Sequence, residues 1–332
     1  MAESLSQQWH YSTNFLANDI HSQLQSDTTS SQLDDATSDA VSSLSNKWFE
    51  KVKELYGEPH RAYHNMGHVQ DVLASLGLVL GTHHHLTPPE QPKDTAITTL
   101  AAFFHDVIYN PKSSTNEKDS ANLFLDFVSE LVDVIRTFSG HEQNANIDID
   151  MNENETHQPS RIKSHMSESD MILQIEQCII ATATHIASAT QARETNNTIL
   201  ATFLDADMSI LGRDPDKYEK YARSIRKEYE FVDHSNYCEK RAKILYSFLP
   251  ATIAVETVDE TVDATLIDGG GKSSSENTQG AEGKQHISIY ATEKGRELWE
   301  TQAQENLRHE IGMLFQGLIP GEIDCLKFIA ST

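Results

Sequence analysis

Cysteine is scarce in this chain. Cys178, Cys238 and Cys325 are the three in 332 residues, far apart and without a Cys-x-x-Cys pair. That excludes a disulfide framework and a thiolate-rich zinc site, and the three read as reduced, buried thiols. No apolar run approaches the ~18 residues that a membrane helix needs. The opening MAESLSQQWHYSTNF lacks the basic start and apolar core of a secretory signal. The expected setting is therefore soluble and cytoplasmic, also nuclear, with no membrane partner. Basic residues are few, 26 against 50 acidic ones, for a formal charge of −24. Such a surface repels a phosphate backbone, because non-specific nucleic-acid binding depends on Lys and Arg displacing counterions. Duplex nucleic acid is not an expected partner, whereas a small phosphorylated molecule remains compatible with a cleft neutralised by a metal ion and local Arg or Lys.

The length admits one large or two small domains and a core that needs no covalent staples. Apolar residues recur at helical rather than strand spacing, and the expected fold class is all-α. Residues 1–39 read as a separate N-terminal piece, a short helix near Ser6 to Leu24 followed by a polar stretch, and 40–332 as the main domain. In NKWFEKVKELYGEP, Trp48, Val52 and Leu55 mark a helix that Gly57 and Pro59 stop. A further helix carries Val69, Val72, Leu73, Leu76 and Leu80. Lys93 to Tyr109 reads as a buried helix ended by Pro111, with a cap at Ser114–Glu117 opening the next one. Met171 to Ile186, a segment from Pro215, Tyr237 to Leu249, and Thr292 to Phe315 are also expected to be helical. Two stretches, 140–168 and 257–285, are rich in acidic residues, Asn, Gly and Ser without periodicity, and read as inserted loops. Gly269-Gly270-Gly271-Lys272-Ser273 is not a phosphate-binding loop, since Leu266 stands where that pattern requires glycine. His83, His84 and His85 fall in a loop.

Chemistry concentrates in three places. Tyr63-His64-Asn65-Met66-Gly67-His68 spaces two histidines four apart, which on a helix puts them on one face, so both can address one point. His105-Asp106 follows the apolar run Ala101-Ala102-Phe103-Phe104, where an ionised carboxylate needs a cation or hydrogen-bond donors. The same reasoning applies to Asp205 and Asp207 inside the apolar stretch 201–211, with Asp207 the better metal ligand. A divalent cation would supply the missing compensation. The mixed nitrogen and oxygen donors accommodate Zn, Mn, Fe, Ni or Co, and Mg suits a more carboxylate-rich position.

These residues carry a resemblance. His68, then His105 with Asp106, then the distant Asp207, in the wording YHNMGH, AAFFHDVIYNP, TNEKDSA and FLDADMSILG, resembles the HD superfamily of metal-dependent phosphohydrolases. The closest wording is that of the branch called predicted metal-dependent HD phosphohydrolases. The likeness runs over residues 46–250 and 286–316. It implies an all-helical fold with a divalent metal held by His68, His105, Asp106 and Asp207 in a helix-lined cleft. The YHNxxH and HDV stretches also resemble the cyclic nucleotide phosphodiesterase catalytic domain, which implies that His64 is a general acid and His68 a ligand.

Other positions have two readings. His185, in ATATH at the end of an apolar helix, is either a favourable charge at a helix C-terminus or a ligand for a second metal, as in some HD proteins. Glu117 either orients a nucleophilic water or simply favours a helix N-terminus. Arg226 and Arg241 either fork onto a phosphate or pair with nearby carboxylates. Asn110 departs from the resembled family, where Asp is common in the phrase that reads HDVIYN here. His309-Glu310 lacks the second histidine of a zinc-protease helix. The resulting expectation is a phosphoric ester hydrolase of HD type. Its alternatives are a di-iron oxygenase on the same fold and a non-catalytic metal- or nucleotide-binding regulator.

Overall fold

Capping side chains and buried apolar faces, rather than intrinsic helix propensity, set the elements of this protein. A computed structural model describes residues 4–24, 32–80, 91–138, 169–250 and 288–321. In chain order its helices are α1 (Leu5–Leu24), α2 (Asp35–Tyr56), α3 (Met66–Val79), α4 (Pro92–Phe104), α5 (Asn116–Phe138), α6 (Asp170–Ala181), α7 (His185–Glu194), α8 (Thr198–Asp207), α9 (Pro215–Glu228), α10 (His234–Phe248) and α11 (Thr301–Phe315). A single helical turn, Glu293–Gly295, and a π-helical segment, Arg296–Glu300, lead into α11. The described residues contain no strand, so the fold is all-α. None of their helices is long and apolar enough to cross a membrane.

The side chains of Asp34, Asn197, Asp214 and Asp233 accept backbone N–H groups at the starts of α2, α8, α9 and α10. Each satisfies a donor that has no partner within its own helix. Pro215 opens α9 where a missing N–H costs nothing.

Helix α4 is the axis of the larger core. Every residue from Ala96 to Phe104 is buried, the mark of a helix covered on all sides. It packs against α1 and α6, and also meets α3, α5 and α8. Trp9 of α1 stands fully buried among Phe49, Phe103, Phe104 and Phe127, and its indole N–H donates to Ser45 O at 3.0 Å. The proposed boundary at residue 39 therefore does not hold as a structural division. It falls inside α2, and α1 is a layer of the main core. The low average hydrophobicity of α1 hid the fact that its few apolar residues lie on one buried stripe.

A smaller core joins α9, α10, α11 and the 3₁₀ turn Met208–Gly212 around Tyr218, Leu245, Trp299 and Leu307. It is tied to α8 through Asp205, which accepts from Ala291 N at 2.6 Å, Thr292 N at 2.7 Å and Thr292 Oγ1 at 2.6 Å. Asn306 donates to Leu211 O and Arg213 O, both at 2.8 Å, and Arg213 reaches Ser75 of α3 at 2.7 Å. Cys178 and Cys238 are buried, and burial pushes the Cys178 thiol up to about 12. The loops read at 140–168 and 257–285, the Gly269–Ser273 stretch, His83–His85 and Cys325 lie outside the described residues.

Candidate metal centre

Three helix ends deliver the cluster, and each ends or begins for a local reason. The Asn65 side chain accepts Gly67 N at 2.8 Å, so Asn65 is the N-cap and α3 starts at Met66. His64 consequently precedes the helix rather than sharing it with His68, a correction to the helical reading of their spacing. The two rings still meet, with centroids 5.9 Å apart. Helix α4 closes at Phe104, before the expected Tyr109. His105 is its C-cap, with its N–H on Ala101 O at 2.8 Å, and Asp106 lies in the turn beyond. Asp207 is the last residue of α8. The helix expected to run from Met171 to Ile186 ends at Ala181, and after the 3₁₀ turn Thr182–Thr184 His185 opens α7. It stands at a helix start, so the C-terminal charge reading of His185 is overturned.

His68 Nε2 lies 3.1 Å from His105 Nε2 and 3.1 Å from Asp207 Oδ1. His105 Nε2 is 2.9 Å from Asp106 Oδ2 and 3.5 Å from Asp207 Oδ1, and His68 Nε2 is 3.6 Å from Asp106 Oδ2. One donor atom each from His68, His105 and Asp207 falls within a mutual 4.8 Å, close enough to hold one metal ion. Asp106 adjoins this trio through the two histidine nitrogens. Both histidines are buried, at 4% and 1% exposure, so the cluster is withdrawn from bulk water.

The donor chemistry fits a cation. His105 Nδ1 faces Ala102 O at 3.0 Å and donates to it, which turns the Nε2 lone pair toward His68. Two imidazole nitrogens 3.1 Å apart beside two carboxylates form a concentration of lone pairs that only a positive charge relieves. In the protein without metal, protons supply it. Burial opposes charging His105, but Asp106 and Asp207 outweigh it and hold the imidazole well above the ordinary histidine range. Burial likewise raises the two carboxyls, yet His105 and its neighbours keep both well below the usual range. A metal ion would take over the role of that proton, so binding and protonation compete. Among the described residues His68 Nδ1 is buried without a hydrogen-bond partner, and the Tyr63 ring lies against this imidazole at 4.7 Å.

Family models, curated proteins and solved structures give no match to this chain. Its chemistry is therefore read from the cluster and from what surrounds it.

Two surrounding residues have no counterpart in the sequence reading. Glu228, buried at the end of α9, receives Tyr63 N at 2.7 Å and His64 N at 3.0 Å on Oε1, and His64 Nδ1 at 2.6 Å and Tyr109 Oη at 2.8 Å on Oε2. Arg61 donates to Asp106 O at 2.7 Å, Val107 O at 2.9 Å and His64 O at 3.1 Å, while its Nε holds Glu58 at 3.0 Å. One guanidinium thus ties the His64 loop to the His105-Asp106 turn. Burial pulls the His64 imidazole down, but the charges of Asp106 and Glu228 and the bond to Glu228 outweigh it, and it titrates above its ordinary value. Burial raises Glu228, whereas His64 and the two backbone N–H groups draw it down to about 2.

The pair has a pH signature. A depressed carboxyl contributes stability that is complete above 4.5 and lost as pH falls through about 2; a raised histidine contributes stability complete below 6.5 and lost as pH rises through its folded value. The stability difference between wild type and Glu228→Gln in urea should therefore be widest between 4.5 and 6.5 and shrink on the alkaline side. A difference that stays constant up to about pH 9 would show that the contact is not an ion pair.

The remaining predicted positions are placed as follows. His185 Nε2 contacts Asp207 Oδ2 at 2.7 Å, on the carboxylate oxygen not used toward His68. Glu117 is half-buried in the first turn of α5, where its charge favours the helix N-terminus; among the described residues no hydrogen bond joins it to the cluster. Arg241 is buried and pairs with the buried Glu310 at 2.9 Å, inside the smaller core. Arg226 donates to Tyr229 O at 2.7 Å and Val232 O at 3.1 Å. Both arginines thus have structural partners, the Glu310 carboxylate for Arg241 and the Tyr229 and Val232 carbonyls for Arg226. Asn110 is exposed and closes a turn with Asn116, N to Oδ1 and Nδ2 to O, both at 3.0 Å. A cavity of about 650 Å³ between α10 and the end of α11, lined by residues such as Cys238, Tyr246 and Phe315, includes none of the cluster residues.

Proposed function

We propose that this chain is a metal-dependent hydrolase of phosphoric esters, of the HD type that its sequence resembles. The observation that carries the reading is the convergence of His68, His105, Asp106 and Asp207 from three separate helix ends, beside a histidine whose Nδ1 is engaged by the buried Glu228 carboxylate at 2.6 Å. A divalent ion at this position supplies an acidified water and polarises a phosphoryl oxygen. The residues of the chain do the rest. His105 is oriented by Ala102 O, and the ligand-bearing turn is fixed to the His64 loop by Arg61. Glu228 engages His64 Nδ1, which leaves Nε2 as the nitrogen able to pass a proton to a leaving oxygen. A histidine whose proton is favoured by a neighbouring carboxylate is suited to act as an acid rather than a base. The substrate class is a small phosphorylated molecule or nucleotide.

The reading is tested on full-length protein stripped with a chelator and reloaded with Mn, Zn, Fe, Ni, Co or Mg in turn. Hydrolysis of phosphomonoesters or diesters should appear with at least one metal and disappear again on chelation. Absence of turnover with every metal, on protein that demonstrably binds the ion, would remove the assignment.

One observation favours a second reading. His185 Nε2 lies 2.7 Å from the oxygen of Asp207 that does not face His68, so His185 and Asp207 are the residues that would hold a second ion. Two iron ions per chain and uptake of oxygen would identify a di-iron oxygenase instead.

A further inference from the structure

Three loops distant in the chain meet beside His64, and they bring aromatic rings with them. The Tyr109 ring lies 4.3 Å from the His64 ring, and the exposed His60 stacks on Tyr109 at 6.0 Å with planes 10° apart. Tyr109 Oη donates to Glu228 at 2.8 Å, and the next residue along the chain, Tyr229, is stacked with Phe231 at 5.9 Å. Phe231 is 47% exposed, and the Lys112 ammonium stands 4.7 Å from its ring centre. The row thus runs outward from His64 to a half-exposed phenyl ring with a cation over it, in a protein whose formal charge is −24.

Burial does not account for the outer end of this row. An exposed Phe231 contributes little to the core, and yet both loops that form the rim are pinned. Arg226 grips the carbonyls of Tyr229 and Val232, and the Asn110–Asn116 pair closes the loop that carries Lys112. Pinned aromatic side chains are a surface made ready for a flat ligand, because the entropy of ordering them is already lost. Electrostatics agree, since the ammonium favours an electron-rich or anionic edge.

We propose that Tyr109, Tyr229, Phe231 and Lys112 form the subsite for the leaving group, and that the leaving group carries a planar aromatic ring. This rests on the phosphohydrolase reading for its direction. A general acid donates to the oxygen that departs, so the departing part of the ester lies on the His64 side of the cluster, where these rings stand. Phe231 is the outermost contact and sets the preference for a flat group; Lys112 biases it toward rings with a polar edge.

Adenosine 5′-monophosphate and ribose 5-phosphate serve as probes, since they share the same leaving oxygen and differ by the base. Calorimetry on full-length, metal-loaded protein tests the subsite, and hydrolysis of the same pair tests the phosphohydrolase reading. Wild type should bind the nucleotide about 10-fold or more tightly than the sugar phosphate, the scale of one base stacked on an aromatic ring. Phe231→Ala should bring the ratio close to one and Phe231→Trp should restore it. Equal affinities in wild type, or a preference that survives Phe231→Ala, would overturn the subsite even if both esters are hydrolysed. A base-dependent affinity that Phe231→Ala abolishes, without turnover of either ester, would keep the aromatic subsite and remove the enzymatic reading.

Discussion

His105→Ala is expected to leave the protein folded and without its metal. His105 contributes one of the two imidazole nitrogens of the cluster, is 1% exposed, and caps the C-terminus of a helix whose buried residues Ala96 to Phe104 remain in place in the variant. Its loss also leaves Asp106 and Asp207 without the group that most lowers their pKa values, so both carboxyls shift upward. Loss of a partner outside the coordination shell already costs about 10- to 100-fold in affinity, and the loss of a ligand should exceed that. Asp106→Asn, which keeps the shape and removes the charge, should weaken binding in the same direction. Elemental analysis after gel filtration, with far-UV circular dichroism as the folding check, decides the matter. Wild type and both variants carrying the same trace of metal would dispose of the centre and of the mechanism built on it.

His64→Ala should behave in the opposite way, keeping metal and losing turnover. His64 reaches the cluster only at ring distance, and its hydrogen bonds go to Glu228 and Arg61. Removal of a positioned proton donor lowers rates by roughly 10² to 10⁴. The deficit should shrink for esters whose leaving groups need no proton. Glu228→Gln should produce a smaller loss with its own signature: with the anion gone, His64 gives up its proton at lower pH, and the alkaline limb of kcat/KM moves down with it. If His64→Ala loses metal as readily as His105→Ala, the residue belongs to the coordination shell, and His185 becomes the next histidine to replace.

The parts of this site that could be read from the sequence are those in which neighbours along the chain are also neighbours in space. His105 and Asp106 behind a continuous apolar run declared a buried, charged helix end, and α4 is that helix. Pro215 and Gly57 marked boundaries because each acts on its own backbone. Of the two carboxylates in the 201–211 stretch, Asp205 is held by Ala291 and Thr292 while Asp207 faces His68 and His105. Errors arose where a local signal had two outcomes. Asn65 takes the cap and so excludes His64 from α3, and a 3₁₀ turn makes His185 a beginning instead of an end. Glu228 was not legible at all, because nothing in SIRKEYE marks it as the partner of a histidine 164 residues earlier. Arg61 left a faint trace, a Glu58 three positions before it, but its bonds to Asp106 and Val107 cross 45 and 46 residues.

The last turn of α8 sets the smallest piece of this protein that can work. Asp207 turns into the cluster while Asp205, two positions earlier, is gripped by the backbone at Ala291 and Thr292. Residues 288–321 supply none of the cluster's side chains, yet they hold the helix from which Asp207 projects. Glu228, on α9, does the same for His64. A fragment cut soon after Asp207 would contain all four side chains of the cluster and lack both supports. The four side chains of the cluster lie between His68 and Asp207, but the contacts that hold their supports in place extend to Thr292.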